Sequence, residues 1–119
     1  MAESTPPLSV TQQKDIYIVE FTSNRILDEA NIDGIGKTLA HLVGERANPK
    51  VLLDFSTVDH LSSAALGMLI NANKKILELN GQLRLSNIRP QIMEVFEITR
   101  LDRLFKILPT RAEALVSFS

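Results

Sequence analysis

The sequence predicts an α/β fold, a small mixed β-sheet with helices packed mainly on one face. Three observations predict it. A candidate edge strand at 8–13 and a short β-branched and aromatic run at 16–21 flank a polar Gln13-Lys14-Asp15 turn, the pattern of a hairpin. After residue 25, apolar periods near 3.6 alternate with short strand-like runs, which implies parallel strands joined by helical crossovers. Val51-Leu-Leu53 is an apolar run of the kind found in a covered central strand, and a polar stretch and a helix that opens on two serines follow it.

The elements follow in order. Residues 1–7, with Pro6-Pro7, read as a flexible leader before one domain at 8–119. Leu8–Gln13 is an edge strand, open to pairing between chains, and Ile16–Phe21 is its partner. Thr22–Arg25 is a polar loop. A helix runs from about Asp28 to Gly44 on the period of Ala30, Ile35, Leu39, Leu42 and Val43, with Gly34 and Gly36 weakening its middle. Glu45–Pro49 is a loop into the central strand. The polar stretch Asp54–His60 is expected to leave the core. Ser62 is a good N-cap and Ser63 falls at the first helical position. That helix runs to about Leu79, with Leu66, Leu69, Ile70, Asn73, Ile76 and Leu77 toward the sheet. Its opposite side runs through Ser63, Gly67, Asn71, Lys74 and Glu78, flanked by Ala64 and an exposed Met68, before Asn80-Gly81 stops it. Gln82–Ser86 is an alternating strand. Arg89-Pro90 opens a helix that buries Ile92, Val95, Phe96 and Ile98 or Thr99. Leu104–Leu108 is a last strand ended by Pro109, and Thr110-Arg-Ala-Glu113 is a capping box for a helix through about Phe118.

Bulk properties narrow the function. The 119 residues are 45% hydrophobic, enough for one core. Thirteen basic against fourteen acidic residues argue against a nucleic-acid binder that works by counterion release. With no cysteine, a disulfide framework and a thiolate metal site are both excluded. No apolar run approaches the ~18–20 residues that span a membrane, and the N-terminus lacks the basic start and apolar core of a signal peptide. The expectation is a soluble cytoplasmic protein without a membrane partner.

Catalytic readings find little to rest on. Asp54 at a strand end suggests a receiver-type phosphoaspartate, yet the preceding strand end, Phe21-Thr-Ser-Asn24, supplies no acidic pair for Mg²⁺. Asp59-His60 beside two serines lacks a Gly-x-Ser-x-Gly elbow. There is no His-x-x-x-His, no P-loop, and Gly34-Ile-Gly36 is a fragment inside a helix. No cofactor and no enzyme activity are expected. Ser63 itself has a plain reading as a helix-start residue; the sharper one is a hydroxyl exposed to a kinase, whose phosphate would sit on the free N–H groups of the first turn.

The crossing from strand to helix resembles the STAS domain (sulphate transporter and anti-sigma-factor antagonist). Asp54, Ser56 and Val58 match the first part of its signature, and Ser63, Leu66 and Gly67 the second. Ser62 stands where the signature has an acidic residue and Ala65 where it has its first glycine. The segment Pro90–Leu108 is similar to the C-terminal half of the family. The resemblance implies a stand-alone anti-sigma-factor antagonist. Its unphosphorylated form would bind an anti-sigma factor that is also a serine kinase, and so release a sigma factor. Phosphorylation at Ser63, or alternatively Ser62, would end the interaction and a phosphatase would restore it. ATP and Mg²⁺ would belong to the partner. The implied docking surface is Ser62, Ser63, Ala64, Gly67, Met68 and Asn71. A scaffold that is never phosphorylated, or a module for a nucleotide or anion, remain the alternatives.

Overall fold

In a computed structural model of the chain, residues 8–44 and 46–118 are described. The leader at 1–7, Glu45 of the expected loop and Ser119 lie outside them. Strands β1 (Leu8–Gln13) and β2 (Ile16–Phe21) form the expected antiparallel hairpin. A two-residue strand, β3 (Arg25–Ile26), precedes helix α1 (Glu29–Val43). Strand β4 (Lys50–Asp54), the short β5 (His60–Leu61) and helix α2 (Ser63–Glu78) follow. The chain ends with β6 (Gln82–Ser86), α3 (Pro90–Ile98), a 3₁₀ turn at Leu101–Arg103, β7 (Lys106–Leu108) and α4 (Arg111–Val116).

The main sheet has the order β1-β2-β4-β6-β7, with every pair after the hairpin parallel. Its two faces follow from the strand period of two. Val19, Phe21, Val51, Leu53, Leu83 and Leu85 point into the larger core. Ile32, Ile35, Leu39 and Val43 of α1, Leu66, Leu69 and Ile76 of α2, and Ile92 and Phe96 of α3 cover them. On the other face Ile16, Ile18 and Leu52 pack with Ala114 and Phe118, from α4 and the residues after it, and with the partly buried Leu108 and Leu115. Arg84 shares that face. Its guanidinium lies 4.8 Å from the Phe118 ring and Nε donates to Ser117 Oγ at 2.9 Å.

Caps fall where the side chains demand. Asp28 Oδ1 accepts from Ala30 N–H at 3.1 Å, and Thr110 Oγ1 from Glu113 N–H at 3.1 Å. Gly44, at φ 51°, ends α1, while past the end of α2 Asn80 takes the left-handed conformation at φ 60°. Gly81 serves a different need. A Cβ there would lie 2.7 Å from Pro49 Cδ and press on the Pro49 carbonyl, which accepts from Gln82 N–H at 2.8 Å.

Several expectations are corrected. The stretch after β4 leaves the core only in part: Ser56, Thr57 and His60 are exposed, but Phe55 and Val58 are fully buried, and Phe55 joins Phe21, Phe96 and Phe105 in a chain of ring contacts 5.0–6.2 Å apart. On α2, Ile70 and Leu77 are exposed, and Ala65 takes up core space with Leu66, Leu69, Asn73 and Ile76. Ile98 is 80% exposed, and Thr99 turns its hydroxyl back onto the Val95 carbonyl at 2.6 Å. The last strand starts at Lys106, because Leu101–Arg103 coil into the 3₁₀ turn.

The Gly81 contact generates a prediction. Gly81→Ala forces the backbone off Pro49 and should cost about 1–3 kcal/mol in urea unfolding. Gly36→Ala, whose Cβ would meet only the flexible Met68 side chain, at 3.2 Å, should cost less.

Candidate functional site at the start of α2

The site begins at Asp54. Three polar strand ends lie side by side there, since Glu20 pairs with Asp54 across β2–β4 and Asp54 with Ser86 across β4–β6. Asp54 is 2% exposed, so its charge must be met inside the protein. Oδ1 accepts from Ser56 N–H at 2.9 Å. Oδ2 accepts from Arg111 Nη2 at 2.6 Å, Arg111 Nε at 2.9 Å and Asn87 Nδ2 at 3.2 Å. Arg111 Nη2 also reaches Glu20 Oε2 at 2.7 Å. Burial pushes the Asp54 carboxyl up. The Ser56 N–H and the Arg111 guanidinium outweigh it and hold the group below the usual carboxylate range.

From this anchor the chain crosses to α2 over a braced loop. Phe55 N–H donates to the Ser86 carbonyl at 2.9 Å. Arg89 donates through Nε to the Ser56 carbonyl at 2.9 Å and pairs through Nη1 with Asp59 Oδ1 at 3.1 Å. Asn24 completes the brace: its carbonyl accepts from Asp59 and His60 N–H, and its side chain reaches Asp59 at 3.3 Å. The β3–β5 ribbon then pairs Ile26 with Leu61, and Ser62 N–H donates to the Ile26 carbonyl at 3.1 Å. These contacts set where α2 begins.

Ser62 is the N-cap, at φ −85° and ψ 165°, and its Oγ accepts from Ala65 N–H at 3.1 Å. Ser63 is the first helical residue and is exposed. The first turn of α2 holds no acidic residue of its own to offset the positive end of the helix. Ala64, Gly67, Met68 and Asn71 form one wall of a groove of 760 Å³ between α1 and α2. Met68 is half-buried against Gly36, in place of the exposed residue expected, and a Cβ on Gly67 would meet open space. Ala65 is fully buried, so its extra methyl enters the core and not the surface.

Sequence reasoning missed the α1 wall of the groove, where Ile32, Gly36 and Ala40 face α2 with Asp33 and Lys37 paired at 3.1 Å beside them. The glycine inside a helix was the available signal, a mark of close packing rather than weakness. It also missed Arg111, which no local pattern links to Asp54. Asp59, weighed for a triad, is committed to Arg89 and Asn24. No cluster of three or more His, Cys, Asp or Glu residues able to hold a metal occurs among the described residues. No helix there is long and apolar enough to cross a membrane.

A mixed sheet in this order, with a strand–loop–helix crossing that delivers an exposed serine to a helix start, defines a small α/β domain of one particular build. The STAS domain family matches residues 7–114, and the chain belongs to it. It is 29% identical over 93 residues to BtrV of Bordetella bronchiseptica, covering 78% of this chain and 79% of that protein, which is named for anti-sigma factor antagonism. It is 36% identical over 66 residues to a Thermotoga neapolitana protein named in the same way, covering 56% of this chain and 58% of the other. The structure of an anti-sigma-factor antagonist (STAS) domain protein from Planctomyces limnophilus superposes with a TM-score of 0.85 over 98% of this chain and all of that one, at 24% identity.

The Asp54 network predicts a pH dependence. A carboxyl whose pKa is lower folded than unfolded stabilises the fold above the ordinary carboxylate range, and that stability is lost as pH falls through the folded value. Arg111→Met should cost about 2–3 kcal/mol at pH 7 by leaving Asp54 short of its cation. The gap between variant and wild type should narrow in urea titrations taken below about pH 4.

Proposed function

We propose that this chain is an anti-sigma-factor antagonist switched by phosphorylation at Ser63. One observation carries the reading. The signature serine stands exposed as the first residue of α2, next to a groove wall of small residues, while Ser62 does the capping. The names of the two relatives support the regulatory class. Ser62 is the poorer acceptor, since its hydroxyl holds the Ala65 N–H and modification would cost the helix its cap.

In this reading the unmodified α2 face, from Ser62 and Ser63 through Ala64, Gly67, Met68 and Asn71, docks on an anti-sigma factor that is a serine kinase, and a sigma factor is freed. The partner brings ATP, Mg²⁺ and the base; this chain supplies a positioned hydroxyl. The phosphate adds about 1.5–2 negative charges at the positive end of α2, where the helix tolerates them. The docking surface does not, because a charge is then desolvated against a face matched to an uncharged serine. A phosphatase resets the switch. The reading implies a cytoplasmic protein in which residues 8–119 work as one unit.

A groove of 760 Å³ is also within the range of small-molecule sites, which favours a ligand-binding module as the second reading. A nucleotide or anion that raises the melting temperature of the free chain, with no kinase partner recovered, would favour it.

Three variants test the switch against a purified kinase partner. Ser63→Ala should bind as wild type and take up no phosphate from labelled ATP. Ser63→Asp should lose at least about tenfold in affinity by calorimetry. Gly67→Gln should keep its melting temperature, since its Cβ enters open space, yet bind more weakly. A Ser63→Ala protein that still accepts stoichiometric phosphate would remove the central claim.

A further inference from the structure

The two edges of the main sheet are unlike. The β7 edge is three residues long, carries Lys106 and is followed by Pro109, the usual protections against strand addition. The β1 edge has none of them. Its six residues, Leu8-Ser-Val-Thr-Gln-Gln13, include no charge and no proline, and they pair with β2 in unbroken register from Leu8–Phe21 to Gln13–Ile16. Five of the six are exposed, Val10 at 39%.

The register tells which main-chain groups are free. Lys14 and Asp15 form a two-residue turn, with Lys14 at φ 58°, so Gln13 and Ile16 exchange both of their hydrogen bonds. Alternation then turns Thr11 and Ser9 toward β2, and Gln12, Val10 and Leu8 outward. Pro6 and Pro7 have no N–H and the turn begins at Lys14, so an added ladder is confined to this strand.

We infer that β1 pairs antiparallel with β1 of a second copy of this chain, about a two-fold axis at Val10. Centring there uses all three outward residues. Val10 meets Val10 of the other copy and Leu8 meets Gln12, for about six main-chain hydrogen bonds. The side chains match as well. On one face the two valines touch, flanked by Leu8–Gln12 pairs. On the other, Ser9 meets Thr11 twice, a hydroxyl pair of a kind that stabilises sheets. Centring on Ser9 or Thr11 shortens the ladder. Because the strand is uncharged it does not repel its own copy, and two five-stranded sheets become one continuous sheet. The contact is small beside a permanent interface, so the dimer is expected to be reversible and concentration-dependent.

Sedimentation velocity on the full chain, from micromolar to about 1 mM, tests this. Wild type should shift from monomer to dimer. Val10→Pro deletes an outward N–H without touching the β1–β2 bonds and should stay monomeric with an unchanged melting temperature. If that variant folds poorly, Val10→Lys places two cations on the axis and should give the same result. The chain has no cysteine, so Val10→Cys offers a single thiol, which a short bis-maleimide should join to its symmetry mate. A wild type that stays monomeric at the highest concentration overturns the inference, even if it captures another protein's strand. So does a dimer that survives both Val10→Pro and Val10→Lys.

Discussion

A single carboxylate, that of Asp54, holds together the parts of the molecule that matter for its site. It lies at the end of the central strand with almost no access to water, where an unmatched charge would be costly. Its partners come from three places in the chain: the Ser56 N–H of the crossing loop, Asn87 between β6 and α3, and Arg111 at the start of α4. The loop therefore leaves β4 in one direction only. Arg111 ties the same point to Glu20 on β2, so the sparsely covered face of the sheet and the start of the loop share one cation.

What the loop does next depends on that direction. Phe55 drops back into the ring chain with Phe21 and Phe96, Val58 follows it into the core, and Arg89 fastens the polar residues between them. The β3–β5 ribbon then delivers Ser62 to its capping position. The groove arises from packing of a different kind. Gly36 lets Met68 close on α1, while Ala64 and Gly67 are too small to fill the space nearer the start of α2. A rigid helix start beside a bare groove suits recognition by a partner better than it suits chemistry within the chain.

Much of this was legible because local physics decided it. The strand pair at 8–21, the helix start at Asp28, the Ser62 cap, Gly44 and the proline-started α3 all stand where side-chain chemistry alone puts them. The misses share a cause. Arg25–Ile26 pairs with His60–Leu61, but two residues carry no period to read. Phe55 and Val58 are apolar residues in a polar stretch, and only the three-dimensional turn at Asp54 sends them inward. Ile70 and Leu77 satisfy a helical stripe yet face out, since the sheet accepts the side of α2 centred on Leu69 and Ile76. Arg111 lies 57 residues from Asp54, and no spacing rule finds such a pair. The serines themselves were found through the family signature, and the helix start they occupy follows from capping.

The most direct measurement is the intact mass of the protein drawn from its own cells, before and after phosphatase, with the site mapped by fragmentation. The account predicts one phosphate on Ser63, removed by the phosphatase. A protein that carries no phosphate under any growth condition, or carries it on Ser62, would contradict it.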